Sequence, residues 1–218
     1  MLKILLIFCA TMLTGQEDLS PLFSSFKQYQ KAKLQTSFNV EWISAGPVLN
    51  SARVEAVQGD PRNPGTMYIA FGSGNLWKTI DNGLTWKPIF ENQPALGIGD
   101  IALAPSDSKI IYVGTGESLR KNRNFTMPGT GIYRSDDSGN SWRHLGLENT
   151  WHISEIAVHP TNPDIVLVAA MGKFWTKSTS MGIYRTRNGG KTWDRVLFVN
   201  EKTRANDIVI SSANPNVM

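Results

Sequence analysis

The sequence predicts an all-β protein built from repeated four-stranded units, and three observations lead to that prediction. A motif of the form Ser/Thr-x-Asp/Asn-x-Gly-x-Ser/Thr-Trp occurs three times, starting at Thr79, Ser135 and Thr186. Each copy follows a short strand-like run that contains an aromatic residue, and a turn with Asp or Asn and Pro recurs ahead of each run. Four short strands in a unit of roughly 40–50 residues form one blade of a β-propeller.

The composition is that of a folded domain without a nucleic-acid-binding tail. The 218 residues are 41% apolar, 18% charged and 10% aromatic, which excludes a disordered or coiled-coil protein. The formal net charge is +4, and no run of five like charges occurs. We therefore expect no nucleic-acid partner.

Residues 1–15 have the order of a secretory signal peptide. A basic start at Lys3 is followed by an apolar stretch over residues 4–10 and a small residue, Gly15. This apolar stretch is too short to span a membrane. We expect cleavage after Gly15 and a secreted, periplasmic or cell-envelope location in a bacterium. The single cysteine, Cys9, lies inside this segment, so the mature chain has no disulfide or thiol chemistry.

The next segment, residues 16–37, is a polar lead-in to the repeats. Ser20 precedes a proline, and Leu22, Phe26 and Tyr29 follow at helical spacing. This pattern predicts one short helix capped by Ser20.

From residue 38 onward the chain is predicted to form an incomplete propeller ring of about three and a half blades. Each blade is expected to contain strands A to D in order, with the repeated motif in the turn between strands C and D. Phe38 to Trp42 is a further candidate strand. The segment is expected to be the N-terminal part of a longer propeller and to pack against downstream blades of the same chain. The predicted blades span about residues 51–92, 97–148, 151–199 and, incompletely, 204–218.

The repeated motif is interpreted as a structural turn. Its Asp can accept hydrogen bonds from turn N–H groups, its Gly permits a left-handed backbone, and its Trp is expected to pack between blades. Asn188 supports this interpretation, because an amide can hold a turn but cannot act as an acid or base at pH 7. The residues given this structural role are Asp81, Gly83, Trp86, Asp137, Gly139, Trp142, Asn188, Gly190 and Trp193.

The motif resembles the Asp-box of bacterial-neuraminidase-type repeats. Its tandem arrangement from Trp42 to the end resembles secreted bacterial propellers related to sortilin-type receptors and to xyloglucan-active endoglucanases. The resemblance implies the fold more strongly than an activity, because one fold hosts many functions.

The loops between strands B and C are the first place where binding is expected. They vary in length, and they lie at the end of the blades opposite the Asp-boxes, where long loops on a rigid scaffold commonly bind ligands. Aromatic and basic groups there suit a glycan, a peptide or an anionic partner. The alternative is that Phe174 and a neighbouring Trp fold back over the blade edge. The candidate binding residues are Glu117, Arg120, Arg123, Lys173 and Trp175.

The start of strand A is the second place, because strand A lines the central channel of a propeller. Aligning the repeats places acidic and basic residues at matching positions, where they could ring the channel mouth and bind a cation or polar ligand. The alternative is hydrogen bonding to the neighbouring blade. The candidate channel-mouth residues are Arg53, Asp100, His152, Glu155 and Asp207.

Enzyme motifs are lacking, so no catalytic residue, metal or cofactor is assigned. His152 and His159 are seven residues apart on a strand pattern and do not form a metal pair. No Gly-x-Ser-x-Gly elbow occurs. The xyloglucan-active relatives have their first catalytic Asp just after strand B of the first blade, where this chain has Ser73. The arginine triad of sialidases is also absent.

The predicted function is recognition of a protein or glycan, or scaffolding, without catalysis by this segment. One alternative is a glycoside hydrolase whose second carboxyl group lies in downstream blades, since that chemistry needs two carboxyl groups. Another is an assembly factor for membrane complexes, as in photosystem-assembly propellers of similar type.

Overall fold

The computed structural model describes residues 20–35, 52–118 and 125–218. These residues contain one helix, α1 (Ser20–Leu34), a short 3-10 helix at Glu148–Thr150, and β-strands grouped in three sheets. The strands are β1 (Val54–Gly59), β2 (Met67–Phe71), β3 (Asn75–Thr79), β4 (Lys87–Pro88), β5 (Ile98–Ala104), β6 (Asp107–Thr115), β7 (Ile132–Ser135), β8 (Arg143–His144), β9 (Ile153–Val158), β10 (Val166–Ala170), β11 (Gly182–Thr186) and β12 (Asp194–Leu197).

Each sheet has four antiparallel strands in sequence order: β1 to β4, β5 to β8 and β9 to β12. In the middle sheet Val113 lies opposite Ile101 on one side and Tyr133 on the other. Ile69 and Val168 occupy the same central place in the first and third sheets. This is the blade arrangement of a β-propeller, so the predicted fold class is confirmed. We call the sheets blades 1, 2 and 3.

In the first Asp-box, the turn is closed by hydrogen bonds from its own loop to one carboxylate. In the first box Asp81 Oδ1 accepts from Thr79 Oγ1 at 2.7 Å and from Thr85 N at 2.9 Å, and Oδ2 accepts from Thr85 Oγ1 at 2.6 Å. Gly83, at φ 88°, donates its N–H to Thr79 Oγ1. The hydrogen bonds from Thr85 are the main reason that the pKa of Asp81 falls to about 2.

The third box makes the same ring of hydrogen bonds with an amide. Asn188 Oδ1 accepts from Thr186 Oγ1 at 2.9 Å and from Thr192 N at 3.0 Å. Its Nδ2 donates to Thr192 Oγ1 at 2.9 Å, whereas in the first box the hydroxyl donates to the acid. The ring therefore depends on its geometry and tolerates either direction of this one bond.

Each Asp-box is also tied to the A–B turn of its own blade. A backbone N–H in the box donates to a carbonyl in the A–B turn or, in blade 2, at the start of β6, which joins the two turns at the same end. These bonds run from Asn82 N to Gly65 O at 3.0 Å, from Ser138 N to Lys109 O at 2.9 Å and from Gly189 N to Asp164 O at 3.0 Å.

The fourth copy of the repeat forms its turn but no strand. Ser211 N donates to Val217 O at 2.9 Å, which matches the bond from Asp60 N to Thr66 O in blade 1. Residues 204–210 have no strand assignment, because they have no ladder partner among the described residues. Ile208 and its neighbours instead pack against an apolar cluster of blade 3.

The core lies between blades. One buried cluster joins blades 1 and 2 through residues such as Leu76, Phe90 and Ile101, and a second joins blades 2 and 3 through residues such as Ile132 and Val168. These interfaces fix the position of each blade against the next.

The Asp-box tryptophans divide into two types. Trp142 and Trp193 donate from Nε1 to Ile89 O and Leu145 O of the preceding blade, each at 2.8 Å. Trp86 instead donates to Gly83 O in its own box at 3.1 Å. The expectation that every Asp-box Trp packs between two blades stays untested for Trp86, because no described blade precedes blade 1.

Helix α1 contacts the blades through Phe23 and Gln30. Phe23 lies with its ring centroid 5.0 Å from that of His144, and Gln30 Nε2 donates to Asn92 O at 3.1 Å. Leu22 and Tyr29 are 43% and 57% exposed. The spacing of Leu22, Phe26 and Tyr29 predicted a short helix, and α1 contains all three residues.

Two expectations fall on residues outside the described ranges. They are the signal segment 1–15 with Cys9, and the candidate strand from Phe38 to Trp42. In the part of the chain that the structure describes, no helix has the length and apolar character needed to cross a membrane.

Candidate functional site

The top face is the end of the blades where β2, β6 and β10 finish and β1, β5 and β9 begin. There the residue after each strand B donates its N–H to the carbonyl of the residue directly before strand A of the same blade. The three equivalent bonds run from Gly72 N to Arg53 O at 2.9 Å, from Gly116 N to Gly97 O at 2.8 Å and from Met171 N to His152 O at 2.8 Å. Arg53, Gly97 and His152 therefore occupy matching places on blades 1, 2 and 3.

Arg53 and Glu117 form an ion pair between blades 1 and 2. Arg53 Nε donates to Glu117 Oε1 at 2.5 Å, and a second guanidinium nitrogen contacts the same oxygen. The Arg53 side chain is 36% exposed, whereas that of Glu117 is 1% exposed. Sequence analysis placed these residues in two separate groups, and the structure brings them together.

The backbone around Glu117 is held from two sides. Its N–H donates to Met127 O at 2.9 Å, and its carbonyl accepts from Thr126 Oγ1 at 3.2 Å and from His152 Nδ1 at 3.0 Å. Because a carbonyl can only accept, His152 carries its proton on Nδ1. Glu117 is thus the residue on which blades 1, 2 and 3 meet at the top face.

Glu55 is a site residue that sequence analysis missed. Ser118 Oγ donates to Glu55 Oε2 at 2.8 Å. A Cβ placed on Gly72 would lie 3.0 Å from Glu117 Cδ and 3.1 Å from Glu55 Oε1, so both carboxyl groups adjoin Gly72. Glu55 follows Arg53 by two residues, and the two-residue period of a strand is the signal that could have identified it.

His152 links the polar cluster to the third loop. Burial is the main cause that lowers the pKa of His152 to about 4, so the ring is neutral near pH 7. Its ring centroid lies 4.3 Å from that of Phe174. Phe174 therefore folds back onto blade 3, which is what the alternative interpretation of this loop predicted for Phe174.

Trp175 projects from the same loop and is 62% exposed. Its ring centroid lies 6.0 Å from that of Phe174. Arg204 contacts this loop in two ways. Its guanidinium lies 5.2 Å from the centroid of the Phe174 ring and donates hydrogen bonds to the carbonyls of Lys173 and Phe174. Arg204 was aligned with Arg53 and His152 by the repeat but was not among the candidate site residues.

Lys173 covers a further aromatic ring, with its Nζ 4.6 Å from the centroid of Trp151. We call Trp151, Phe174 and Trp175 the aromatic platform. The cations on Trp151 and Phe174 leave Trp175 as the exposed ring of this platform. The exposed Trp175 ring is linked to Glu117 through Phe174 and His152.

Other candidate residues lie elsewhere. Asp100 is buried, and its Oδ2 accepts from Ile156 N at 2.7 Å, which is the bonding to a neighbouring blade that formed the alternative for this position. Glu155 lies on β9 opposite Ala169, and Asp207 is exposed. Arg120 and Arg123 fall outside the described residues.

His159 lies at the opposite end of blade 3 from His152. Its Nδ1 accepts from Thr161 N and Asn162 N, each at 3.2 Å, in the A–B turn. Within residues 20–35, 52–118 and 125–218, no group of three or more His, Cys, Asp or Glu side chains is placed to hold a metal ion.

Comparison with known proteins gives a family match over residues 74–215, to the Sortilin-Vps10 model described as "Sortilin, neurotensin receptor 3". The chain is also similar to the xyloglucanase Xgh74A of Acetivibrio thermocellus, at 26% identity over 172 residues, which is 66% of this chain and 20% of that protein. A xyloglucanase of Paenibacillus sp is 25% identical over 179 residues, covering 67% of this chain and 16% of that protein. The chain thus spans at most about a fifth of the length of these curated relatives.

A solved structure supports the fold independently. The crystal structure of an ancestral GH74 enzyme matches with a TM-score of 0.61 and 24% identity, covering 78% of this chain and 22% of that one. The two chains thus share the blade arrangement, and the similarity concerns the fold alone.

Proposed function

The chain belongs to the Sortilin-Vps10 family, and from that premise we propose that it recognises a glycan at its top face, without catalysis by the described residues. The observation that carries this proposal is Trp175, an indole that is 62% exposed in the loop between β10 and β11 at the top face. Tryptophan is enriched at binding interfaces, because its ring offers a large apolar face together with a polar N–H group.

The platform suits a sugar because its parts are held in place before a ligand arrives. His152 and Arg204 both contact Phe174, and Arg204 also binds the Lys173 carbonyl. An aromatic ring offers a flat apolar face, and a pyranose ring has one as well. Fixing the loop in advance reduces the conformational entropy that binding would otherwise cost.

The names of the curated relatives indicate which glycan to try first. Both are xyloglucanases, so a xyloglucan heptasaccharide is the natural probe. The experiment is isothermal titration calorimetry of the full chain with this oligosaccharide. Trp175→Ala is expected to weaken binding about tenfold or more through loss of ring contact, which corresponds to about 1.4 kcal/mol.

Leu84→Ala is the matched control, because Leu84 is an exposed apolar residue of the first Asp-box, at the opposite end of blade 1. It is expected to leave the dissociation constant unchanged. If the unmodified chain binds no oligosaccharide, or if Trp175→Ala binds as well as the unmodified chain, the proposal is wrong.

Glycoside hydrolysis is a second candidate, favoured by one observation. The carboxyl groups of Glu55 and Glu117 both adjoin Gly72, directly after strand B of blade 1. Hydrolysis of a glycosidic bond uses a pair of carboxyl groups. Release of reducing sugar from xyloglucan, abolished by Glu55→Gln, would favour this candidate over recognition alone.

Export through the N-terminal segment belongs to the same proposal. The order of Lys3, apolar residues 4–10 and Gly15 supports it. Expressed in a bacterium, the mature protein is expected to begin at Gln16 and to be recovered outside the cytoplasm. Mass spectrometry of the exported chain measures this, and a retained Met1 would contradict it.

A further inference from the structure

Positive charge is concentrated in one part of the chain. Residues 171–204 contain eight Lys or Arg and two Asp or Glu, whereas the whole chain contains 22 and 18. The net positive charge of the protein therefore comes from the segment that begins after β10 and ends after β12, and acidic residues outnumber basic ones elsewhere. An uneven charge distribution of this kind attracts ligands of the opposite sign.

Contacts between two segments gather five of these cations around the loop that carries Trp175. One segment is the loop between β10 and β11, and the other is β12 with the residues that follow it. The contacts run from the Arg195 guanidinium to Thr179 O, from Ser178 N to Glu201 O at 3.3 Å, and from the Arg204 guanidinium to Lys173 O at 3.1 Å. We call the five cations the basic surface: Lys173, Lys177, Arg195, Lys202 and Arg204.

Three cations of the basic surface are positioned by aromatic rings. The Arg195 guanidinium lies 4.2 Å from the centroid of the Phe198 ring. Lys173 and Arg204 lie over the first two rings of the aromatic platform. Because attraction between a cation and the face of a ring favours these positions, the charges are oriented before a ligand arrives.

The other two cations, Lys177 and Lys202, are exposed, and neither forms an ion pair with a described residue. Glu201 is the only acidic residue within 195–204. The interface between blades 2 and 3 differs, since Arg134 is paired there with Asp164. The charge of the basic surface is therefore available to a ligand.

We propose that the glycan bound at the top face is acidic, and that the basic surface binds its carboxylate groups while Trp175 contacts a sugar ring. This inference rests on the proposed function, because it assigns the charge of that glycan. Trp175 is 62% exposed and lies two residues before Lys177 in the same loop. An acidic peptide supplies charge but no pyranose face for this ring, whereas an acidic polysaccharide supplies both.

The first measurement is calorimetry of the full chain with two oligosaccharides of similar length, a heptagalacturonate and the neutral xyloglucan heptasaccharide. The acidic oligosaccharide is expected to bind more tightly. Its affinity is expected to fall when sodium chloride is raised from about 50 mM to about 500 mM, because salt screens exposed charges. The affinity for the neutral oligosaccharide is expected to stay the same.

The second measurement uses the double variant Lys177→Gln with Lys202→Gln. It is expected to bind heptagalacturonate about fivefold more weakly, since each exposed ion pair contributes modestly. Binding of the xyloglucan heptasaccharide is expected to be unchanged. The matched control is Lys87→Gln with Lys109→Gln, which removes the same charge from exposed positions of blades 1 and 2 and is expected to bind both oligosaccharides normally. Thermal melts establish that both variants are folded.

Three outcomes would overturn this inference and leave the proposed function standing, provided that Trp175→Ala still weakens binding of an oligosaccharide. They are equal or tighter binding of the neutral oligosaccharide, unchanged heptagalacturonate binding by the folded double variant, and equal losses in the double variant and its control. Binding of a heptaglutamate peptide as tight as that of heptagalacturonate would also overturn it, because charge alone would then select the ligand. Absence of binding to either oligosaccharide would overturn both.

Discussion

At the scale of single residues, the Asp-boxes show how one ring of hydrogen bonds accepts two kinds of side chain. Asp137 accepts from Ser141 N at 2.8 Å and from Ser141 Oγ at 2.5 Å. Asn188 makes the equivalent contacts with Thr192, but donates one of them. Two boxes therefore carry a titrating group, whereas the third does not.

The first prediction concerns acid stability. Hydrogen bonds from Thr85 and Ser141 are the leading causes that lower the pKa of Asp81 and Asp137 from 3.8 to about 2. A lowered pKa in the folded state stabilises the fold above the unfolded value, and this stabilisation is lost as the pH falls through the folded value. We expect the melting temperature to fall between about pH 4 and pH 2, and Asp137→Asn to flatten that fall. Circular dichroism melts from pH 5 to pH 2 measure it, and identical slopes for both proteins would contradict it.

The second prediction concerns Gly189. Its φ is 67°, and a Cβ there would lie 2.7 Å from Arg134 Nη1 and 2.8 Å from Asp164 Oδ1. Gly189→Ala is expected to destabilise the chain by about 2–4 kcal/mol, because it combines left-handed strain with displacement of the bond from Arg134 to Asp164. Urea unfolding measures this change.

Gly146→Ala separates the two causes. Gly146 has φ 91°, but nothing lies within 4 Å of a Cβ there, so only the backbone strain of about 1–2 kcal/mol is expected. Equal losses for the two variants would show that the contact with Arg134 is unimportant. Ser138 holds the matching box position in blade 2 at φ 62°, so a side chain is tolerated where the neighbour is Lys78.

At the scale of elements, the blades are joined through strand D and the following Asp-box. Trp142 donates to Ile89 O and lies edge-on to Phe90, with centroids 5.1 Å apart. Trp86 makes its hydrogen bond within its own loop. The same motif position thus joins two blades in one case and closes one turn in the other.

The third prediction follows from that difference. Trp142→Ala is expected to destabilise the chain by about 3–5 kcal/mol, because it removes interblade contacts and leaves a cavity. Trp86→Ala is expected to cost clearly less. Denaturant unfolding of the two variants compares them, and a larger loss for Trp86→Ala would show that blade 1 packs differently from this description.

Sequence reasoning succeeded where the physics is local. The Asp-boxes and the strands around them could be predicted, because a turn is specified by the residues within it. It could not give the contacts of α1 with the blades, because those depend on which element lies alongside. The pair of Arg53 and Glu117 is separated by 64 residues, and only the packing of blades 1 and 2 brings it together. Asp100 matches the alternative that the repeat alignment left open, since it accepts from Ile156 N of the neighbouring blade.

At the scale of the whole molecule, blade 2 is covered on both sides, whereas blades 1 and 3 expose apolar side chains. Val54 and Val57 on β1 are exposed, as are Val196 and Leu197 on β12. Exposed apolar patches of this kind promote association. Stability is therefore expected to be uneven across the three blades.

The fourth prediction is that the 218-residue chain self-associates or melts over a broad temperature range. Light scattering with size-exclusion chromatography measures the first behaviour, and calorimetry measures the second. Replacing Val57 and Leu197 by Lys is expected to reduce association by placing charge on these faces. A monomer with a sharp two-state transition would show that these faces need no partner.

The bonds that join each Asp-box to its own A–B turn have a consequence for engineering. Asn82, Ser138 and Gly189 make these hydrogen bonds at the end of the blades opposite the top face. A change in the top-face loops therefore does not touch them. A foreign segment inserted between β10 and β11 would leave all three hydrogen bonds in place. The molecule thus provides a scaffold into which loops of new binding specificity can be inserted without redesigning the blades.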